Sequence, residues 1–161
     1  MRIIVLAGAL LVGGCAPRLE AVHGRAALEL MRQPDRVEAF RLKRKAPASG
    51  GPISGVADYI VEVGGSVEVT PESVRELSAI LTDDGSYLWG IHKRCFPAPG
   101  VKLRFVRGRA YADMYLCFAC GILMSGGSMK TENWANFDPV AARLAAVVKR
   151  IFPADSSQFL H

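Results

Sequence analysis

The chain has 161 residues, 50% hydrophobic and 22% charged, with 20 Lys and Arg against 15 Asp and Glu, a formal net charge of +5 and a pI near 9.2. Such a composition excludes a disordered chain, and the length suits one compact domain with a single core. The positive excess is modest and no nucleic-acid-binding motif accompanies it, which argues against nucleic acid as a partner.

The first predicted element is a leader, residues 1–14. Arg2 precedes an apolar run from Ile3 to Leu11, and Val12-Gly13-Gly14-Cys15 follows. The uncharged stretch is about a dozen residues, whereas a membrane span needs roughly 20. It is too short to remain as a spanning helix. Gly13 and Gly14 let the backbone enter a peptidase groove in extended form, and the Cys15 thiol just beyond can accept a lipid. These four residues resemble the lipobox of bacterial lipoproteins, with Val12 where that family most often has leucine. The resemblance implies a signal peptide cut ahead of Cys15, palmitate-type acylation of that cysteine, and a mature chain beginning Cys-Ala-Pro-Arg. Each acyl chain would contribute about 0.8 kcal/mol per buried methylene, so two or three hold a domain to one leaflet. Ala16 is not the aspartate that often retains Gram-negative lipoproteins in the inner membrane, so an outer-membrane position facing the periplasm is expected. The alternatives are a plain secretory peptide cut nearby or a buried N-terminal strand.

Residues 15–34 form the lipidated N-terminus and either a tether or a short helix. Leu19 to Gln33 has helix-forming composition, broken by Gly24 and ended by Pro34. A single α+β domain is expected over 35–161. In Arg36 to Lys43, Val37, Ala39 and Arg41 alternate with Glu38, Phe40 and Leu42, which predicts a strand of mixed pattern. Arg44 to Pro52, with its prolines and glycines, predicts a loop. Asp58 to Val63 and Ser66 to Val69 flank Gly64-Gly65, a hairpin signal. Thr70-Pro71-Glu72 then supplies an N-cap, a proline at the first helical position and an early acid, with Val74, Leu77, Ile80 and Leu81 on one face.

Val101 to Arg107 and Ala110 to Phe118 are joined by Gly108-Arg109, where glycine first suits a type II′ turn. That turn pairs Phe105 with Ala112, Leu103 with Met114 and Val101 with Leu116 on an apolar face. Arg104 opposite Asp113 and Lys102 opposite Tyr115 then belong in water. Gly126-Gly127 predicts another turn, returning a strand around Met129 to Trp134. Asp138-Pro139 repeats the cap and proline, and Val140, Leu144, Val147, Val148 and Ile151 form a helical stripe that Pro153 ends. The expected architecture is α+β, an antiparallel sheet of about four to six strands with two main helices packed on one face.

Of the four cysteines, lipidation of Cys15 leaves Cys95, Cys117 and Cys120, an odd number for an oxidising compartment. With His92 they read His-x-x-Cys and, after a gap, Cys-x-x-Cys, close to the ligand spacing of a zinc ribbon. Gly121 after the second pair suits a metal knuckle. Against this, Cys117 lies on the predicted strand, and residues three apart on a strand point to opposite faces about 10 Å apart. Extending the hairpin puts Cys120 on the apolar face with Phe118 and Leu116, its cross-strand partner near Pro97 and diagonal to Cys95. A Cys95 to Cys120 disulfide is the pair that parity favours, with Cys117 left on the outer face, and closing its roughly 25-residue loop would stabilise by about 3 kcal/mol. Redox catalysis of the thioredoxin type needs a helix after the first thiol, which Gly121 to Gly127 does not offer. A c-type haem site fails because Gly121 replaces the histidine.

Ser128-Met129-Lys130 pairs a hydroxyl with an amine, beside a turn that explains it equally well. Asp83 and Asp84 could serve a metal or acid/base chemistry, or simply solvate a helix end. Tyr87, Trp89, Trp134 and Phe137 line either a pocket or the core. His23 and His161, near the termini, predict nothing. Basic clusters at Arg41, Lys43, Arg44 and Lys45, at Lys93 and Arg94, and at Arg107 and Arg109 could face anionic lipid or lipopolysaccharide, or solvent. No phosphate loop or dinucleotide fingerprint is present.

Cys95-Phe-Pro-Ala-Pro-Gly100-Val-Lys-Leu-Arg-Phe105 and Leu116-Cys-Phe-Ala-Cys120 resemble segments of small uncharacterised bacterial envelope proteins with Cys-x-Pro and Cys-Phe-x-Cys, over residues 71–153. That resemblance implies no activity; it makes the three cysteines a unit. The expectation is a lipid-anchored envelope protein acting as a non-catalytic binding or structural module. It would meet the membrane through its lipid and bind another envelope protein or anionic lipid. The alternative is a zinc-like metal-binding or thiol-responsive module using His92, Cys95, Cys117 and Cys120.

Overall fold

The computed structural model describes residues 17–45, 60–126 and 133–154. In chain order the elements are α1 (Pro17–His23), α2 (Arg25–Arg32), β1 (Arg36–Arg44), β2 (Ile60–Glu68), α3 (Pro71–Leu81), β3 (Val101–Arg107), β4 (Ala110–Cys117), β5 (Ile122–Ser125), β6 (Trp134–Asn136) and α4 (Ala141–Ile151). The fold is α+β, with a six-stranded antiparallel sheet in the order β2-β1-β3-β4-β5-β6.

Alternation along the strands decides the layering. Val37, Ala39, Val101, Leu103, Phe105, Met114 and Leu116 share one face and join a single core with Leu19, Leu28 and Met31, with Leu77 and Ile80, and with Leu144 and Val147. All four helices therefore lay their apolar stripes on the same face of the sheet. Leu19 is 0% exposed, so residues 17–32 are an integral helical corner of the domain and not a free tether. Gly24 breaks the two helices apart with φ 78° and ψ 148°, a conformation that an L side chain rarely adopts.

The β3–β4 hairpin has the register its turn demands: Phe105 with Ala112, Leu103 with Met114, Val101 with Leu116 and Arg104 with Asp113. Within its two-residue turn, positive φ falls on Gly108 and not on Arg109. α3 opens as its residues predict, the Thr70 hydroxyl accepting from the Ser73 N–H at 3.4 Å. α4 opens differently, because Asp138-Pro139-Val140 is a 3₁₀ turn and the Asp138 carboxylate does not cap it.

Gly64-Gly65 departs from expectation. It does not turn a hairpin; Ile60–Glu68 is one strand paired along its length with β1. One residue, Phe40, separates Ala39 from Arg41, whereas Gly64 to Ser66 separate their partners Val63 and Val67. Gly64, at φ 76°, supplies the positive dihedral for a bulge instead of a turn. A bulge on this edge strand twists its free edge out of register with other chains. Lys102 and Tyr115 also depart: Lys102 is 3% exposed and Tyr115 is half-buried. The Lys102 ammonium lies 3.8 Å from the Phe40 ring centroid and bonds Glu62, so its stem is covered while its charge is paired.

Candidate functional site

The helical corner at Gly24 stands over the end of β5, where Ser125 pairs with Met114 and the Gly126 N–H donates to the Asp113 carbonyl at 2.9 Å. Between corner and sheet lies an open cleft of about 690 Å³. Ala21, Ala26 and Ala27 keep it wide, Val22, Leu30 and Met114 make it apolar, and His23, Ser125 and Asn133 place polar groups along it.

His23 is 7% exposed. Its Nδ1 hydrogen-bonds the Ser125 Oγ, which also lies 3.6 Å from the Met114 Sδ. Nε2 is buried with no partner among the described residues. These contacts are satisfied best when Nδ1 carries the proton and donates to Ser125, because Nε2 is then a bare lone pair and not an orphaned N–H. Burial lowers the imidazole to about 4 from its ordinary 6.5, so it is neutral at physiological pH. The Tyr87 ring lies 6.2 Å away, its hydroxyl donating to the Leu81 carbonyl at 2.8 Å. Burial and the nearby Asp83 raise that phenol above its usual range.

A hydroxyl beside an imidazole invites comparison with a nucleophile and its base. A base titrating near 4 removes a proton poorly at neutral pH, and among the described residues no carboxylate orients the far ring nitrogen. The pair is suited to hydrogen bonding within a cleft of mixed apolar and polar lining.

The cysteines lie on the opposite face. Cys95 and Cys120 are at disulfide distance, with Cα atoms 6.0 Å apart, and Cys117 is a free, buried thiol. Strand parity does not govern this pair, because β4 ends at Cys117 and residues 118–121 are a turn. Cys120 consequently packs with Cys117, Ile122 and Met124, not with Leu116 on the helix-covered face. Cys117, expected on an outer face, is 0% exposed. His92 is exposed, and among the described residues no three His, Cys, Asp or Glu side chains are grouped as metal ligands.

Lys93 and Asp138 do more here than their local sequence suggests. The Lys93 ammonium donates to the Cys120 carbonyl at 2.6 Å and to the Asp138 carboxylate at 2.7 Å. A Cβ on Gly121 would lie 1.9 Å from that carboxylate oxygen and 2.7 Å from the ammonium. Glycine after Cys-x-x-Cys is thus accounted for by this ion pair and by φ 62°, without a metal knuckle.

The remaining candidates have local explanations. The Asp83 carboxylate accepts from the Gly85 N–H at 3.0 Å, capping a short 3₁₀ turn. Tyr87 and Trp89 meet at a tilt with centroids 5.5 Å apart, and Phe118 meets Phe137 edge-on at 5.5 Å, so these rings mainly fill the core. Trp89 and Trp134 also border a small cavity of about 140 Å³. Cys15, Ser128, Met129, Lys130 and His161 lie outside the described residues. His23 is the residue that sequence reasoning missed. Its signal is the four-residue spacing from Leu19, which sets both on one face of α1. No protein-family model, curated protein or solved structure matches the chain, so the cleft and the cysteines carry its functional reading alone.

Proposed function

We propose that the protein is a lipid-anchored binding module of the bacterial cell envelope, acting through the cleft beside His23 and Ser125. The observation that carries this is the start of α1 at Pro17, two residues after Cys15, in a helix that also walls the cleft. Two residues span at most about 7 Å, so an acylated Cys15 would hold the cleft close to one leaflet. The site's chemistry favours hydrogen bonding over turnover. No helix among the described residues is long and apolar enough to cross a membrane. The Cys95 to Cys120 pair is consistent with an oxidising compartment such as the periplasm, and anionic lipid or another envelope protein would be the natural partner there. The test is palmitate incorporation in a bacterial host: label is expected in wild type and lost on Cys15→Ser. Failure of wild type to take label, beside a lipoprotein that does, overturns the anchor.

A second reading is motivated by one observation, the placement of Cys117 in the same cluster as Cys120 and Cys95. A thiol-responsive or zinc-binding module would use Cys117 with Cys95, Cys120 and His92. Intact mass decides. A mass two hydrogens low with one alkylatable thiol in the mature chain supports the disulfide; a zinc mass lost to chelator supports the metal.

A further inference from the structure

We infer that the cleft at the Gly24 corner is a binding site for a fatty-acyl chain with a hydrogen-bonding head. The inference rests on the anchored reading for where the cleft stands, and on the cleft's own lining for what it takes.

The lining is amphipathic in an ordered way. Ala21, Ala26 and Ala27 are small residues on the helical side, and they leave room where larger side chains would close the groove. Leu30 and Met114 form its apolar floor and are 7% and 1% exposed. Ser125 and Asn133 stand at the other wall, and the Ser125 hydroxyl is held by an imidazole that is itself 7% exposed. A purely polar solute would leave the alanine and leucine surface wet, and a plain hydrocarbon would leave the Ser125 hydroxyl only the weak Met114 sulfur as acceptor. A chain with a carboxyl or ester head satisfies both walls.

Reach agrees with lining. From Cys15 to Pro17 is at most about 7 Å, and from Pro17 to Ala21, the first residue lining the cleft, α1 advances about 6 Å. One leaflet's hydrocarbon, and hence one acyl chain, is about 15 Å deep. A chain on Cys15, or one drawn from the adjacent leaflet, therefore reaches the start of the cleft at Ala21. Both sources present the same chemistry.

The full-length protein is titrated with cis-parinaric acid. Saturable one-to-one binding is expected, weakened at least tenfold by Ala26→Trp, which fills the cleft from an exposed helical position. Ala142→Trp, exposed on α4, should leave binding unchanged. A diazirine-bearing palmitate analogue should crosslink to peptides covering 21–30 or 111–126. No saturable binding by either wild type or Cys15→Ser, equal binding by Ala26→Trp with its circular dichroism intact, or crosslinks confined to other peptides would each overturn the inference. Cys15→Ser separates the sources: tighter probe binding assigns the chain to the protein's own anchor, and unchanged binding assigns it to a membrane lipid. Absence of palmitate on wild type removes the anchor without touching the cleft measurements.

Discussion

The sheet has one face built by area and another built by pairing. Under the helices, Leu103, Phe105, Met114, Leu116 and Leu123 are each at most 1% exposed, and apolar contact runs unbroken from β1 to β6. The opposite face is divided. At one end Cys117, Cys120, Ile122 and Met124 form a second apolar cluster; towards the middle, Arg104 forks onto Asp113 at 2.7 and 2.8 Å and lies 4.5 Å from the Tyr111 ring. Stability on the first face should follow the volume removed. On the second it should depend on covalent and ionic links whose partners are far apart in the chain.

The largest expected effect is on the helix-covered face. Phe105 is 0% exposed, and Phe105→Ala should cost about 3 to 5 kcal/mol in urea unfolding. Tyr115→Ala, on the neighbouring strand but half-buried on the other face, should cost well under that. Equal costs would erase the distinction between the faces.

Next is the covalent link. Cys95 and Cys120 are 25 residues apart, and their simultaneous replacement by serine should lower stability by roughly 3 kcal/mol, mostly by freeing the unfolded chain. The residues they join, Cys120 and the partly buried Cys95, belong to the apolar cluster of the second face. Unchanged stability of the double variant would mean that Lys93 and its two acceptors already hold the segment without the bond.

His23 tests where the two regimes meet, being a polar group inside the first. The unfolded imidazole titrates near 6.5 and the folded one near 4, so the unfolded state binds more protons between those values. The stability that neutral His23 contributes is fully present above about 6.5 and is lost as pH falls toward 4, amounting to about 3 kcal/mol. His23→Asn puts an amide nitrogen near the place of Nδ1 without a titrating ring. Urea midpoints at pH 7 and pH 4 should diverge less in that variant than in wild type; equal divergence would assign the acid sensitivity to other groups.

How far these features can be read from residues follows the range of the interactions. The β3–β4 register was legible because a two-residue turn fixes every pair beyond it, and α3 was legible because Thr70 and Pro71 act within one helical turn. Gly64-Gly65 was misread because a positive φ serves a hairpin and a bulge equally, and only pairing with β1 tells them apart. Lys102 looked solvated because alternation assigns a face but not a neighbour, and Phe40 arrives from another strand. Asp138 looked like a cap because its partner Lys93 is 45 residues away. Parity extended past Cys117 assumed a strand where the chain turns. β5, four residues between turns, is too short for alternation to identify. His23 went unnoticed because its importance comes from Ser125, 102 residues later.

The smallest expected effects lie in the ionic region, where removing a charge can cost less than its burial suggests. Lys102 is 3% exposed, yet its partner Glu62 has a side chain 47% exposed. Attraction across such a pair is weakened by water on one side, while desolvation falls mainly on the buried ammonium. Lys102→Met keeps the stem that covers Phe40 and removes the charge, so stability should change by less than about 1 kcal/mol or rise slightly. Glu62→Ala, which leaves the ammonium buried without its carboxylate, should destabilise more than Lys102→Met does. If instead Lys102→Met proves the more costly, the ammonium's attraction to Phe40 and Glu62 exceeds its desolvation, and this face is held by its charges as firmly as the other is by its apolar area.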